Sequence, residues 1–325
     1  MTVCLVTGGA GFIGSHLVDA LVAQGHTIRV LDNFSTGNLA NLVGVRARIE
    51  LIEGDLADLD LVREAMRGVE LVFHQAAVAS IERSVLDPRL THRACADGTL
   101  HVLMAARELR ARRVICGASA AVYGDGDAVP RRETDSLHPV SPYAVATLAG
   151  EHYCAAFGHV YGLETVRLRY FNVVGPRQQT ATAHAAVIPH FLEAMRAGRR
   201  PVIHGDGKQT RDFTSVDDVV QANLLAADAP RVAGRVYNVA SGRRTSILEL
   251  VERINVLLET DLRPIHTPAR PGDIRHSQAD ISRAQADLGY CPCTDLGREL
   301  RRCLKLYSAA PKGPKSRRKH VYNVN

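Results

Sequence analysis

The sequence predicts an α/β fold, a doubly wound parallel sheet with a smaller C-terminal lobe. Short apolar, β-branched runs alternate with helical stretches, which is typical of parallel strands joined by helices. A glycine-rich turn joins the first strand to the first helix, and predicted elements shorten after about residue 172. The length of 325 residues suits one large domain with a smaller lobe.

The first strand–helix unit carries the most informative pattern. A strand over residues 2–7 and an amphipathic helix over residues 15–24 flank Gly8, Gly11 and Gly14, which are spaced G-x-x-G-x-x-G. Glycines at this spacing allow a tight turn, close backbone approach to a pyrophosphate and close packing of helix on strand. The pyrophosphate would lie at the helix N-terminus, where free N–H groups and the helix dipole attract an anion.

Asp32 follows a second predicted strand over residues 27–31. A carboxylate at this place hydrogen-bonds the adenosine ribose hydroxyls and repels a 2′-phosphate. Together with the glycines, it predicts a Rossmann-like unit that binds NAD rather than NADP. If the turn bound no ligand, the spacing of the three glycines and the presence of Asp32 would be coincidental.

Further strand–helix units continue the pattern as far as residue 170. Strands are predicted at 49–53, 70–73, 113–116 and 164–170, and helices at 59–66, 91–109 and 142–161. Parallel strands of this kind place their ligands at the carboxyl ends. We expect the chain to divide into an NAD-binding domain (1–171), a smaller lobe (172–308) with part of its chain returning to the main sheet, and a tail (309–325).

A serine at a strand end and a tyrosine at the start of the next helix are placed as an acid/base pair requires. Ser119 lies just past a strand, and Tyr143 opens the helix that begins near Ser141 and Pro142. His74, at another strand end, is predicted to be structural.

Charge and cysteine content narrow the class of protein. The net charge is +6, but five basic and no acidic residues lie within 309–325, so the remainder is close to neutral. A solubilising tail is favoured over one that touches nucleic acid or an anionic surface. Seven cysteines without a C-x-x-C pair predict free thiols and no metal site. No apolar run reaches membrane-spanning length and no secretory leader is recognisable, so a cytoplasmic protein is expected.

With these residues identified, the chain resembles an extended short-chain dehydrogenase/reductase of the NAD-dependent nucleotide-sugar epimerase/dehydratase type. The resemblance covers roughly residues 2–307. Its motifs include TGGAGFIG at 7–14, LDNFSTG at 31–37, HQAA at 74–77, SPYAV at 141–145, RYFNVVGPRQ at 169–178 and RPGDIRHSQAD at 270–280.

The resemblance implies roles for individual residues. Tyr143 would be the acid/base, Ser119 would share its proton, and Thr147 would occupy the position of the family's active-site lysine. NAD would be held by Gly8, Gly11, Phe12, Ile13, Gly14, Asp32, Asn33, Ser35, Asp55, Leu56, Gln75, Ala76, Ala77, Cys95, Tyr143, Thr147 and Tyr170. The lobe over 172–308 would be the substrate-binding lobe. A UDP-sugar would be held by Ser119, Asn172, Val187, His204, Arg211, Arg270, Asp273 and Ser277.

Among the substrate residues, Asn172, Arg211 and Arg270 would bind the phosphates and Asp273 the nucleotide ribose, although each could instead be a surface ion-pair residue. Ser277 matches a position beside the sugar at which a small side chain admits an N-acetyl group. Gln179 replaces an arginine of hexuronate-specific relatives, which disfavours a uronic acid.

The resemblance implies epimerisation at C4 of UDP-GlcNAc/UDP-GalNAc or UDP-Glc/UDP-Gal through a 4-keto intermediate. Ala120 and Ala121 stand where dehydratases and decarboxylases carry an additional acid, which favours epimerisation over a dehydratase or reductase. Thr147 in place of lysine, and Cys95 in place of the usual asparagine, predict slow turnover. A non-catalytic binder of NAD and a nucleotide sugar is the alternative.

The helices at 91–109 and 142–161 resemble the pair that forms a dimer interface in this family, so a homodimer is expected. A buried intramolecular face would show the same pattern.

Overall fold

The computed structural model describes residues 2–126, 129–178, 186–269, 274–293 and 295–309, with backbone alone for 306–309. The strands are β1 (Val3–Thr7), β2 (Thr27–Asp32), β3 (Ile49–Glu53), β4 (Leu71–His74), β5 (Arg113–Ser119), β6 (Glu164–Tyr170), β7 (Val173–Val174), β8 (Val202–His204), β9 (Thr210–Arg211), β10 (Thr214–Ser215), β11 (Val236–Val239), β12 (Thr245–Ser246) and β13 (Ile265–Thr267).

The helices are α1 (Phe12–Ala23), α2 (Leu59–Met66), α3 (Ile81–Leu86), α4 (Pro88–His92), α5 (Gly98–Glu108), α6 (Pro142–Tyr161), α7 (Val187–Arg196), α8 (Val216–Asp228), α9 (Ile247–Leu258), α10 (Ser282–Leu288) and α11 (Leu296–Ala309). Two 3₁₀ helices lie at Leu39–Arg48 and Ala120–Tyr123, and a π-helical turn at Arg93–Asp97 connects α4 to α5. None of the described helices combines the length and apolar composition needed to span a membrane.

Seven parallel strands form the central sheet in the order β11-β6-β5-β4-β1-β2-β3, which confirms the predicted fold class. Successive side chains of β1 serve opposite faces, so Cys4 and Val6 join one apolar core and Leu5 joins the other. α1, α8 and α10 cover the first core, and α2, α5 and α6 cover the second. Because helices cover both faces, the strands can be apolar throughout.

The chain after β6 divides between the lobe and the main sheet. β7 with β10, β8 with β13 and β9 with β12 form short two-stranded pairs, while α7, α9 and α11 enclose a third apolar core. β11 then pairs with β6 at the edge of the central sheet, with Val236 opposite Arg167. Two segments remote in sequence, β11 and α8, therefore complete the central sheet and one of the layers that cover it.

Several predicted bounds needed correction. The first helix begins at Phe12 rather than at residue 15, directly after the glycine turn. The helix predicted over 91–109 is interrupted by the π-helical turn, where the Thr99 hydroxyl donates to the Cys95 carbonyl at 2.6 Å. The expectation of short elements after residue 172 holds only for strands, because α8 has 13 residues and α11 has 14. The tail from residue 310 lies outside the described residues.

A buried ion pair fixes α6 to the central sheet. The Arg169 guanidinium on β6 donates Nη2–H to the Glu151 carboxylate on α6 at 2.8 Å, and both side chains are at most 4% exposed. Arg169 also donates to the Tyr123 hydroxyl at 3.0 Å, and that hydroxyl donates to Asn238 Oδ1 on β11 at 2.6 Å. One network thus connects α6 with two strands and with the chain following β5.

We predict that Glu151→Gln lowers the free energy of unfolding by about 3–5 kcal/mol, because it leaves the buried Arg169 charge without its counterion. Chemical denaturation measures the change. The matched control is Glu108→Gln, which removes the partner of Arg63 from a pair whose side chains are each 40% exposed. Solvent screens that pair, so its loss should leave stability unchanged within error. Equal effects of the two substitutions would contradict this account of α6.

Candidate active site

The glycine turn (residues 8–14) has a backbone that side chains would obstruct. Gly8 has φ of +68°, and a Cβ there would lie 2.7 Å from the Ala76 backbone. A Cβ on Gly14 would lie 2.1 Å from the Gly8 carbonyl oxygen. α1 starts immediately after Gly11, and within the described chain no side chain caps that end. The N–H groups of Phe12 and Ile13 are therefore available to an anion, which fits the pyrophosphate of a dinucleotide.

Asp32 connects the end of β2 to this turn. Its buried carboxylate accepts hydrogen bonds from the Ala10 N–H at 2.9 Å and the Phe34 N–H at 2.8 Å. Burial raises the pKa of the Asp32 carboxyl, and the two backbone donors oppose that shift. The carboxylate is thus held at the end of the turn, with acceptor capacity left for ribose hydroxyls.

The other predicted cofactor residues on this side lie close together. Asn33 donates from Nδ2 to Asp55 at 2.9 Å and accepts from the Ser35 N–H at 3.0 Å. Leu56, next to Asp55, is buried and its carbonyl lies 2.7 Å from the His101 ring. The ends of β2 and β3 therefore present a single polar rim beside the glycine turn.

A second group lies where β4 and β6 end. Gln75 follows β4, and its side chain is hydrogen-bonded to Tyr170 at the end of β6 and to Asn223 of α8. Ala76 and Ala77 continue from Gln75 alongside the glycine turn. Asn223 is not among the predicted site residues. Its signal in the sequence is an amide within the apolar pattern of a helix.

Tyr143 lies in the first turn of α6, opposite the end of β5. The Ser141 hydroxyl accepts from the Ala144 N–H at 3.2 Å and Pro142 occupies the first turn, which explains why the helix begins there. The Tyr143 phenol is half-buried, and the side chains of Ser119 and Thr147 lie close enough to affect its pKa. The three predicted catalytic residues therefore meet.

Burial is the main influence on the Tyr143 phenol and raises its pKa. Cys95 raises the pKa further, whereas the nearby hydroxyl groups of Ser119 and Thr147 lower it. The Cys95 thiol is itself buried, which raises its pKa to about 11, so it is neutral at physiological pH. A positively charged nicotinamide bound nearby would favour the phenolate.

His74 is enclosed on both sides, in agreement with a structural role. Its Nδ1 lies 2.7 Å from the Thr7 hydroxyl and its Nε2 lies 2.9 Å from the Thr99 hydroxyl. Burial lowers its pKa to about 4, so the ring is neutral at physiological pH.

The predicted substrate residues come from separate segments. Asn172 is exposed just past β6, and Val187 is the first residue of α7. His204 ends β8, with Nδ1 2.8 Å from the Thr267 hydroxyl. Arg270, Asp273 and Gln179 lie outside the described residues.

Arg211 and Ser277 both donate hydrogen bonds to the backbone carbonyl of Thr210. The Arg211 guanidinium donates to the Thr210 carbonyl at 2.9 Å and to the Ile274 carbonyl at 2.7 Å. Ser277 donates its N–H to the Thr210 carbonyl at 3.1 Å. The segment after residue 273 is thereby held against β9.

The exposed thiols of Cys291 and Cys293 are free. Among the described residues, no group of three or more His, Cys, Asp and Glu side chains is arranged to hold a metal ion.

Comparison with known proteins identifies the family. Residues 4–240 match the model of the NAD dependent epimerase/dehydratase family, and the chain belongs to that family. A UDP-glucose 4-epimerase of Mycolicibacterium smegmatis is 38% identical over 307 residues, which cover 93% of this chain and 97% of the relative. NAD is thus the cofactor that the glycine turn and Asp32 fit.

Two solved structures are also similar. A UDP-N-acetylglucosamine 4-epimerase from Methanobrevibacter ruminantium M1, in complex with UDP-N-acetylmuramic acid, has a TM-score of 0.91 and 39% identity, covering 95% of this chain and 98% of that one. The UDP-glucose 4-epimerase of Thermotoga maritima with UDP-glucose has a TM-score of 0.90 and 35% identity, covering 94% and 99%.

Proposed function

We propose that the protein interconverts the C4 epimers of a UDP-sugar with NAD as cofactor. The observation that carries the proposal is the meeting of the Tyr143 phenol with Ser119 at the carboxyl edge of the sheet that bears the glycine turn. The similar proteins from three organisms are all named as 4-epimerases of UDP-sugars, which supports the same reaction for this chain.

The residues of the chain would divide the proton chemistry. Tyr143, as phenolate, takes the proton of the sugar 4-hydroxyl, and Ser119 hydrogen-bonds the same oxygen. NAD, held by the glycine turn and Asp32, would supply the hydride acceptor for C4 and the hydride donor for the opposite face of the 4-keto sugar once the sugar has rotated. Tyr143 then gives its proton back to the oxygen, so neither a proton nor a hydride is consumed.

The sugar is proposed as UDP-GlcNAc/UDP-GalNAc or UDP-Glc/UDP-Gal. The small side chain of Ser277 leaves room for an N-acetyl group, and Ala120 and Ala121 supply no additional acid for elimination. These residues favour epimerisation over a dehydratase or a reductase, which would release a keto or reduced sugar. Asn172 and Arg211 are proposed to bind the phosphates, together with Arg270.

We expect proton NMR of the native protein with each UDP-sugar to show both epimers approaching equilibrium from either side.

Tyr143→Phe removes the acid/base while keeping the ring, so it should reduce kcat by at least about 100-fold. A released 4-keto product would instead favour the dehydratase. Binding of NAD and UDP-sugar without interconversion, even at high protein concentration, would favour the non-catalytic alternative.

Thr147 determines the expected pH dependence. Burial raises the Tyr143 pKa, so the phenolate is the minor species at neutral pH and its fraction increases as the pH rises. We expect kcat of the native protein to rise between pH 7 and pH 9. Thr147→Lys places an ammonium near the phenol, so it should move the rise to lower pH and increase kcat at pH 7 by about tenfold.

Thr147→Ser is the control for this measurement, because it keeps the hydroxyl and adds no charge. It should retain the native pH profile. An unchanged rate and profile in the Thr147→Lys variant would refute the assignment of slow turnover to this position.

We also propose a homodimer formed through α6 and its neighbours. Val145, Tyr153 and Val160 are 51%, 39% and 64% exposed and follow the helical repeat along one side of α6. Leu86 on the adjacent α3 is 75% exposed, which extends the apolar surface. Apolar side chains concentrated on neighbouring helices are typical of a subunit interface.

Sedimentation velocity tests the dimer with two matched substitutions. Val160→Glu places a charge in the proposed interface and should yield monomers. Val256→Glu, on α9, changes a valine that is 78% exposed on the other lobe and should leave the dimer intact. A native protein that sediments as a monomer at micromolar concentration would refute the proposal.

A further inference from the structure

Three side chains form a closed ring of hydrogen bonds where β4 and β6 end. The Tyr170 hydroxyl donates to Gln75 Oε1 at 3.0 Å, and Gln75 Nε2 donates to Asn223 Oδ1 at 3.0 Å. Asn223 Nδ2 closes the ring by donating to the Tyr170 oxygen at 2.9 Å. Each residue gives one hydrogen to the next, so the orientation of each group depends on the other two.

Asn223 is fully buried in α8, where an amide is costly unless its hydrogen bonds are satisfied. Its second amide hydrogen goes to the Val219 carbonyl at 2.8 Å, so both donors and the acceptor are used. An apolar side chain would suit this position of the helix for packing alone. The hydrogen bonds with Gln75 and Tyr170 therefore explain why an amide occupies this position.

β5 has a glycine, Gly117, at the point where the hydrogen-bonded ring lies against it. A Cβ on Gly117 would be 2.9 Å from Gln75 Oε1 and 3.0 Å from Tyr170 Cε2. Any larger residue at position 117 would therefore displace the two side chains that Asn223 holds.

The ring lies between the glycine turn and the candidate catalytic residues. The Gln75 N–H donates to the Thr7 carbonyl, one residue before the turn, at 3.1 Å. On the other side, Tyr170 is the register partner of Ser119 in the parallel pairing of β5 and β6. Gln75 and Tyr170 are both half-buried, so they retain surface at the carboxyl edge of the sheet, whereas Asn223 has none.

We propose that Asn223 is a positioning residue for the nicotinamide end of NAD, acting through Gln75 and Tyr170. The inference rests on the proposed function for the direction of the cofactor, whose reactive end must lie toward Ser119 and Tyr143. Asn223 itself would not contact the cofactor. It fixes the two side chains that form the wall beside the nicotinamide.

The test uses NADH binding by the full chain, followed through the fluorescence of bound NADH. Asn223→Leu keeps the volume and removes the amide, so it should weaken NADH binding by about tenfold and change the emission of the bound cofactor. Tyr170→Phe removes only the hydroxyl and should act in the same direction. The double variant should bind no more weakly than Asn223→Leu alone, because both changes open the same ring.

Asn238→Leu is the matched control. It removes a buried amide from the Tyr123 network and should lower the thermal unfolding temperature without changing the emission of bound NADH. If Asn223→Leu also lowers only the unfolding temperature, Asn223 is purely structural and the proposal is overturned. Additive losses in the double variant would overturn it too.

Two further outcomes are distinguishable. If Asn223→Leu does not fold, the fluorescence of Tyr170→Phe decides, and an emission identical to that of the native protein overturns the proposal. Failure of the proposed function would appear as absent sugar interconversion by the native protein, while the NADH measurements above remain interpretable.

Discussion

The ion pair between Arg169 and Glu151 determines where α6, the helix that carries Tyr143, lies against the sheet. Both charges are removed from water, so the pair is favourable only while the geometry is kept and further hydrogen bonds satisfy the guanidinium. Glu151 is eight residues after Tyr143, and Arg169 directly precedes Tyr170. The same interaction therefore sets α6 and the end of β6 relative to each other, and with them the positions of Tyr143 and Tyr170.

The electrostatic character of the site follows from what surrounds the phenol. Tyr143 has two hydroxyl neighbours and a buried thiol, and position 147 carries a threonine. Hydroxyl groups can orient a phenol and share its proton, but they provide little compensation for a full negative charge in a buried site. Formation of the phenolate should consequently depend on the charge of the bound cofactor, so that binding and proton transfer are linked in this protein.

Local signals were strong enough to predict the central sheet and the elements that carry the chemistry. β3, α2, α6 and β6 have the predicted bounds, since α6, for example, starts with a serine cap and Pro142 and ends at Tyr161, just before Gly162. The meeting of Ser119 with Tyr143 also follows from parallel strands, which bring their carboxyl ends to one edge. The individual contacts of Arg211 and Ser277 depend on tertiary pairing of short strands, for which the sequence carries no periodic signal.

The contacts of Asn223 could not be predicted from the sequence either. A single amide in a helix has no distinguishing neighbours in sequence, and its partners are 53 and 148 residues away. Only the packing of α8 against the sheet brings them together.

The return of the chain to the main sheet at β11 makes the two lobes one cooperative unit. A fragment ending at residue 171 would lack α8, exposing Val166 and Leu168 on the face that α8 covers, and would leave β6 as a free edge with unpaired backbone groups. Such a fragment would be prone to association through that edge. The central sheet therefore acquires its full stability only after the chain has been synthesised through β11, so the N-terminal part of the sheet matures late although its sequence comes first.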